Sequence, residues 1–67
     1  DYENSLKDFI RALEIDPNDA DSHLGLGMTY KKMGKNKEAC MSWKRAYDLG
    51  CEEARELVES NFCKRYI

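Results

Sequence analysis

The stretch HLGLGMTYKKMGKNKEACMSW, residues 23–43, decides the fold. Its two halves read as a pair of helices hinged at Gly34, which suits a left-handed helix cap. Gly27 lies mid-helix, where it costs roughly 1 kcal/mol relative to Ala, so a packing gain must offset it. The expected gain is close approach of Ala39 and Trp43 from the next helix. Gly25 is a second helix-weakening residue, read either as tolerated or as a place where a ligand backbone comes near. Working outward, the pattern returns at a 34-residue offset: Arg11 and Ala12 recur as Arg45 and Ala46, Ala20 as Ala54, and aromatic Phe9 as aromatic Trp43. The chain is therefore a repeat array. A repeat unit cannot bury its apolar face alone, so function is expected to be a property of a surface.

Local chemistry places the remaining helix ends. Asp1 caps a first helix running to about residue 15, where Pro17 removes a donor and biases Asp16 out of the helical region. Asn18 or Asp19 caps the second, with Asp19 and Asp21 at the positive end of its dipole and Lys31 and Lys32 at the negative end. A third helix over about 36–49 carries Ala39, Trp43, Ala46 and Tyr47 on one side, and Gly50 ends it. The fourth starts near residue 52 and continues through Ala54, Leu57, Val58, Asn61 and Phe62 on its apolar side. No strand is predicted, and connections of two to four residues make neighbouring helices antiparallel. The first helix carries Phe9 and Ala12 on one side and Leu6, Ile10 and Leu13 on another, more apolar surface than one partner helix covers. A chain this short buries only about 60% of its unfolded surface, so it is expected to be part of something larger.

Residue by residue the spacing resembles the tetratricopeptide repeat (TPR) family. His23, Leu26, Gly27 and Tyr30 match a large residue, Leu-Gly and Tyr; Ala39 and Trp43 match the small-then-aromatic pair; Ser5, Phe9, Ala12 and Pro17 match the second half of a preceding repeat. Two positions depart from the pattern: His23 replaces Trp, and Cys51 stands where a second inter-repeat Pro is expected. The resemblance implies an all-α fold, an antiparallel helix-pair α-solenoid fragment of about four helices. Residues 1–17 would be half a repeat, 18–51 a whole one, and 52–67 a capping helix or the start of a third. First-type helices in that family line a concave groove for peptides. Transfer by position puts Asp21, Leu24, Met28, Lys31 and Lys32 on the wall, joined by Arg55, Val58, Phe62 and Arg65 if the fourth helix is also first-type. The expected groove has an apolar floor of Leu24, Met28, Val58 and Phe62 with basic margins, suited to a peptide combining apolar anchors with acidic groups. The carboxylate clamp of chaperone-tail-binding members is absent here, because Leu24, Gly25 and Met28 have no side-chain donor.

Other chemistries find little support. A net charge of −2 and a pI near 5.3 lack the basic footprint of nucleic-acid binding. Acidic residues gather in the first helix and its turn, bases at Lys31, Lys32, Lys35 and Lys37 and again at Lys64 and Arg65. Cys40, Cys51 and Cys63 are spaced by 11 and 12 residues, which makes no metal knuckle, and a Cys51–Cys63 disulfide stays open in principle. They are read as small half-buried residues in a reducing compartment, hence the cytoplasm. The single histidine serves poorly as a catalytic base, the paired carboxylates sit in first turns where capping explains them, and the four tyrosines read as packing residues. No cofactor, metal or membrane partner is expected. The function expected is a non-enzymatic protein–protein interaction module, with self-assembly through the exposed first helix as the alternative.

Overall fold

Capping decides where each helix starts and stops. The computed structural model describes residues 1–66, which form α1 (Tyr2–Ile15), α2 (Ala20–Lys32), α3 (Asn36–Asp48), α4 (Glu52–Glu59) and the single turn α5 (Asn61–Lys64). The described residues contain no strand. Asp1 caps α1 by accepting from the Glu3 N–H at 3.0 Å, and the helix stops at Asp16, whose backbone is extended ahead of Pro17. Asp19 caps α2, accepting from the Ser22 N–H at 3.4 Å and also from the Ser22 hydroxyl at 2.8 Å. At its far end the Lys35 N–H donates to the Tyr30 carbonyl at 2.9 Å and the Gly34 N–H to the Lys31 carbonyl at 3.0 Å. This paired closure requires a left-handed residue, which Gly34 supplies with φ 81°. The same pair of bonds closes α3, from Cys51 to Ala46 and from Gly50 to Tyr47, both 2.9 Å.

α3 is the centre of the molecule. It packs against α2 on one side and against α4 and α5 on the other, whereas α1 rests on α2. Four of its residues, Ala39, Cys40, Trp43 and Ala46, are buried and join Ala54 and Cys63 in one core cluster. The expected approach across the α2–α3 hinge is present. A Cβ at Gly27 would overlap the Trp43 ring and stand 2.9 Å from the Ala39 carbonyl oxygen, so only glycine admits the indole at this depth. The Trp43 Nε1–H is buried there with no hydrogen-bond partner among the described residues. Gly25 has an equally local cause: a Cβ there would overlap the Phe9 ring of α1. The reading that a ligand backbone approaches Gly25 is corrected accordingly, since a side chain of the protein already fills the space.

Two expectations fail at the C-terminal end. The fourth helix is not continuous: Ser60 adopts an extended conformation (φ −70°, ψ 157°), and its hydroxyl donates to the Leu57 carbonyl at 2.6 Å. A serine that bonds its own helix end competes with helix propagation, and the chain turns before α5. The cysteines are not all unpaired. Cys40 and Cys63 form a disulfide with Cα atoms 5.5 Å apart, and Cys51 is the free thiol. Had the helix run on, Cys51 and Cys63 would stand about 18 Å apart along it, out of reach of each other. The break at Ser60 folds α5 back over α3, so Cys63 meets Cys40. Of the tyrosines, Tyr30 and Tyr66 pack against the core, while Tyr2 and Tyr47 are exposed.

Candidate functional site

Helical periodicity sorts α2 into two faces. Ser22, Leu26 and Thr29 are buried, and Asp21, Leu24, Met28 and Lys31, one turn apart in succession, share the opposite side. On α4, Ala54 is buried and Val58 packs against the core cluster, which leaves Glu53, Glu56 and Leu57 on the side facing α2. Leu24, Met28, Glu53, Glu56 and Leu57 line a groove of ≈ 330 Å³. Leu24 and Leu57 also lean on the core, so the floor is held from below, while Met28 is exposed and polarisable.

The sequence-derived groove residues divide into groups. Leu24 and Met28 meet in this groove. Phe62 does not lie on its floor. It is half-buried between Trp43, at a ring separation of 6.0 Å, and Tyr66, at 6.3 Å, with the Lys31 ammonium 5.4 Å above its face. This cation–aromatic contact ties the end of α2 to α5. Arg65 lines a neighbouring hollow with Asn36, Asn61, Phe62 and Tyr66. Arg55 is on the far side of α4 and reaches Glu59 at 3.5 Å in an exposed i,i+4 pair. Asp21 and Lys32 are exposed on α2.

The margins therefore differ from the all-basic rim expected. The α4 wall carries Glu53 and Glu56, and Lys31 stands at the far end over Phe62, so the groove is acidic toward the helix starts and basic toward the end of α2. The sequence missed the acidic wall because Glu53, in the first turn, reads as a dipole partner, and Glu56 was given no role. Their three-residue spacing ahead of Leu57 was the available signal. Among the described residues no group of three or more His, Cys, Asp or Glu side chains is placed to hold a metal ion. His23 is structural: its Nε2–H donates to the Pro17 carbonyl at 3.1 Å, tying α2 to the preceding turn. Asp19 has its carboxyl held below its ordinary value, first by the Ser22 hydroxyl bond and then by the Ser22 N–H.

Comparison with known proteins agrees with this geometry. Residues 1–34 match the family described as TPR repeat, and residues 20–49 match the family described as tetratricopeptide repeat. The chain belongs to the TPR family. Protein O-mannosyl-transferase TMTC3 of Homo sapiens is 38% identical over 48 residues, covering 72% of this chain and 5% of that protein. Protein O-mannosyl-transferase TMTC3 of Mus musculus is 35% identical over 48 residues, with the same coverage. This TPR segment thus matches about one-twentieth of the length of those curated relatives. No solved structure matches it significantly. A TPR chain of this kind is a protein–protein interaction module, and no helix of the described residues is long and apolar enough to cross a membrane.

Proposed function

We propose that this TPR segment is non-enzymatic and seats a partner peptide in the groove between α2 and α4. The observation that carries the reading is the ≈ 330 Å³ groove with Leu24, Met28 and Leu57 as an apolar floor. An apolar anchor residue of the partner fills that floor. Its acidic side is drawn to Lys31 and Lys32 and a basic neighbour to Glu53 and Glu56, so charge fixes the direction in which the peptide lies. The transferase activity in the relatives' names belongs to proteins of which the match covers 5%. In such a protein the segment would act as an arm for recognition. The repeat boundaries we favour are 1–17, 18–51 and 52–67, the last being a capping helix or the start of a third repeat.

The test is affinity capture from a native lysate with wild type, Met28→Asp and Lys31→Glu/Lys32→Glu. Loss of the same partners from both variants, with helicity unchanged, supports the groove. Identical partners for all three overturn it.

A second reading rests on α1, none of whose residues is buried and whose Ile10 and Ile15 are 44% and 81% exposed. Such a face associates with another helix, either of a second copy or of a longer chain containing this segment. Concerning location, the Cys40–Cys63 bond favours an oxidising compartment over the cytoplasm that unpaired cysteines would suit.

A further inference from the structure

The outer face of α3 takes no part in the groove between α2 and α4. Lys37, Met41, Lys44, Arg45 and Asp48 follow one another there at helical spacing. Tyr66, beyond α5, comes alongside to close a cleft of ≈ 370 Å³. Met41 is 58% exposed, so the cleft has an apolar floor of thioether and phenol ring open to solvent. Three cations and one carboxylate stand around it, a local balance of +2 in a chain whose net charge is −2. Asp48 reaches Lys44 at 3.7 Å with both side chains half exposed, a pair too weak to withhold the ammonium from a better partner.

The wall is built covalently. Cys40 directly precedes Met41, and Cys63 precedes Tyr66 by three residues, so the Cys40–Cys63 bond clamps both sides of the cleft. Tyr66 is further steadied by its edge-to-face contact with Phe62.

We propose that the Met41/Tyr66 cleft is a second docking surface, which takes an acidic segment of a partner protein inserting one aromatic side chain between Met41 and Tyr66. Charge complementarity selects the acidic segment, since Lys37, Lys44 and Arg45 steer carboxylates and repel bases. A methionine sulfur and a tyrosine ring both favour an aromatic neighbour over an aliphatic one, which selects the anchor. This surface lies on a different helix from the groove proposed above, so either can fail without the other.

The experiment is fluorescence anisotropy on the oxidised chain with three short synthetic peptides. One has a single phenylalanine flanked by glutamates, one the same phenylalanine flanked by lysines, and one glutamates alone. The first should bind saturably and weaken as salt rises. Its affinity should fall by about tenfold or more in Lys44→Glu/Arg45→Glu, in Met41→Asp and in Tyr66→Ala. It should be unchanged in Met28→Ala, which alters the other groove and leaves the Lys31–Phe62 contact in place. The proposal is overturned by absence of saturable binding, by either control peptide binding as tightly as the first, or by binding that survives the Lys44/Arg45 reversal. Self-association abolished by that reversal would assign the face to a second copy, and preferential binding to phosphatidylserine vesicles would assign it to a lipid surface. Either result also overturns it.

Discussion

α1 and α3 are the same helix by sequence pattern and opposite helices by burial. They are related by the 34-residue offset that pairs Phe9 with Trp43 and Ala12 with Ala46. Each sends its aromatic ring against a glycine of α2, Phe9 at Gly25 and Trp43 at Gly27. Yet Trp43 and Ala46 are buried, whereas α1 buries no residue at all. The difference lies in what stands behind each helix among the described residues: α3 has α4 and α5 at its back, and α1 packs chiefly against α2. In a stack of repeats, position in the stack sets how much a given side chain contributes.

That contrast can be broken by mutation. Trp43→Ala should cost about 3–5 kcal/mol and unfold so small a domain. Phe9→Ala, losing only a half-buried ring, should cost about 1–2 kcal/mol and leave a measurable melting transition. Equal effects in thermal denaturation would show that the two helices are equally covered in solution.

The next largest effect concerns what covers α3 from the C-terminal side. Cys63→Ser opens a loop of 23 residues' separation and should cost about 3 kcal/mol, whereas Cys51→Ser should cost little. Alkylation under denaturing, non-reducing conditions followed by mass measurement should label Cys51 alone. Labelling of Cys40 or Cys63 instead would show that α5 is held by packing only.

A third pair sharpens the comparison at the glycines. Gly27→Ala forces the Trp43 ring and the Ala39 carbonyl apart and should destabilise by about 1–3 kcal/mol. At Gly25 the obstacle is the half-buried Phe9 ring, which has room to swing, and the better helix propensity of Ala offsets the disturbance. Gly25→Ala should therefore be near neutral. A larger loss at Gly25 would mean that α1 is pinned as firmly as α3.

The smallest effect is at the α1–α2 junction. The Asp19 carboxyl is depressed in the folded state relative to its ordinary value of 3.8. Its contribution is therefore fully present above that value and is lost as pH falls through the lower folded-state value. Asp19→Asn should remove that contribution, leaving the variant slightly less stable than wild type at neutral pH and converging with it in acid, as read by melting temperature against pH.

Much of this was legible in advance. Asp1, Asp19, Pro17, Gly34 and Gly50 each act through bonds to residues within about one turn, so the ends of α1, α2 and α3 follow from sequence. Leu24 and Met28 share a face for the same reason, because helical spacing alone puts them there. The rest of the groove was not local. Phe62 was expected on the groove floor and is instead packed between Trp43 and Tyr66 under Lys31, because the break at Ser60 turns α5 toward α3. Glu53 and Glu56 form a wall only because α4 lies beside α2, a distance that no spacing along either helix encodes.

By itself, then, the sequence determined the identity and ends of α1, α2 and α3, the start of α4, the repeat offset and the glycine that admits Trp43, since each depends on backbone dihedrals and contacts between adjoining helices. Tertiary structure alone decided which cysteines pair, which side of α4 meets α2, and which of two equivalent helices becomes the core. Those outcomes depend on the relative placement of elements far apart in the chain, where many arrangements satisfy the same local preferences and burial of apolar surface selects among them.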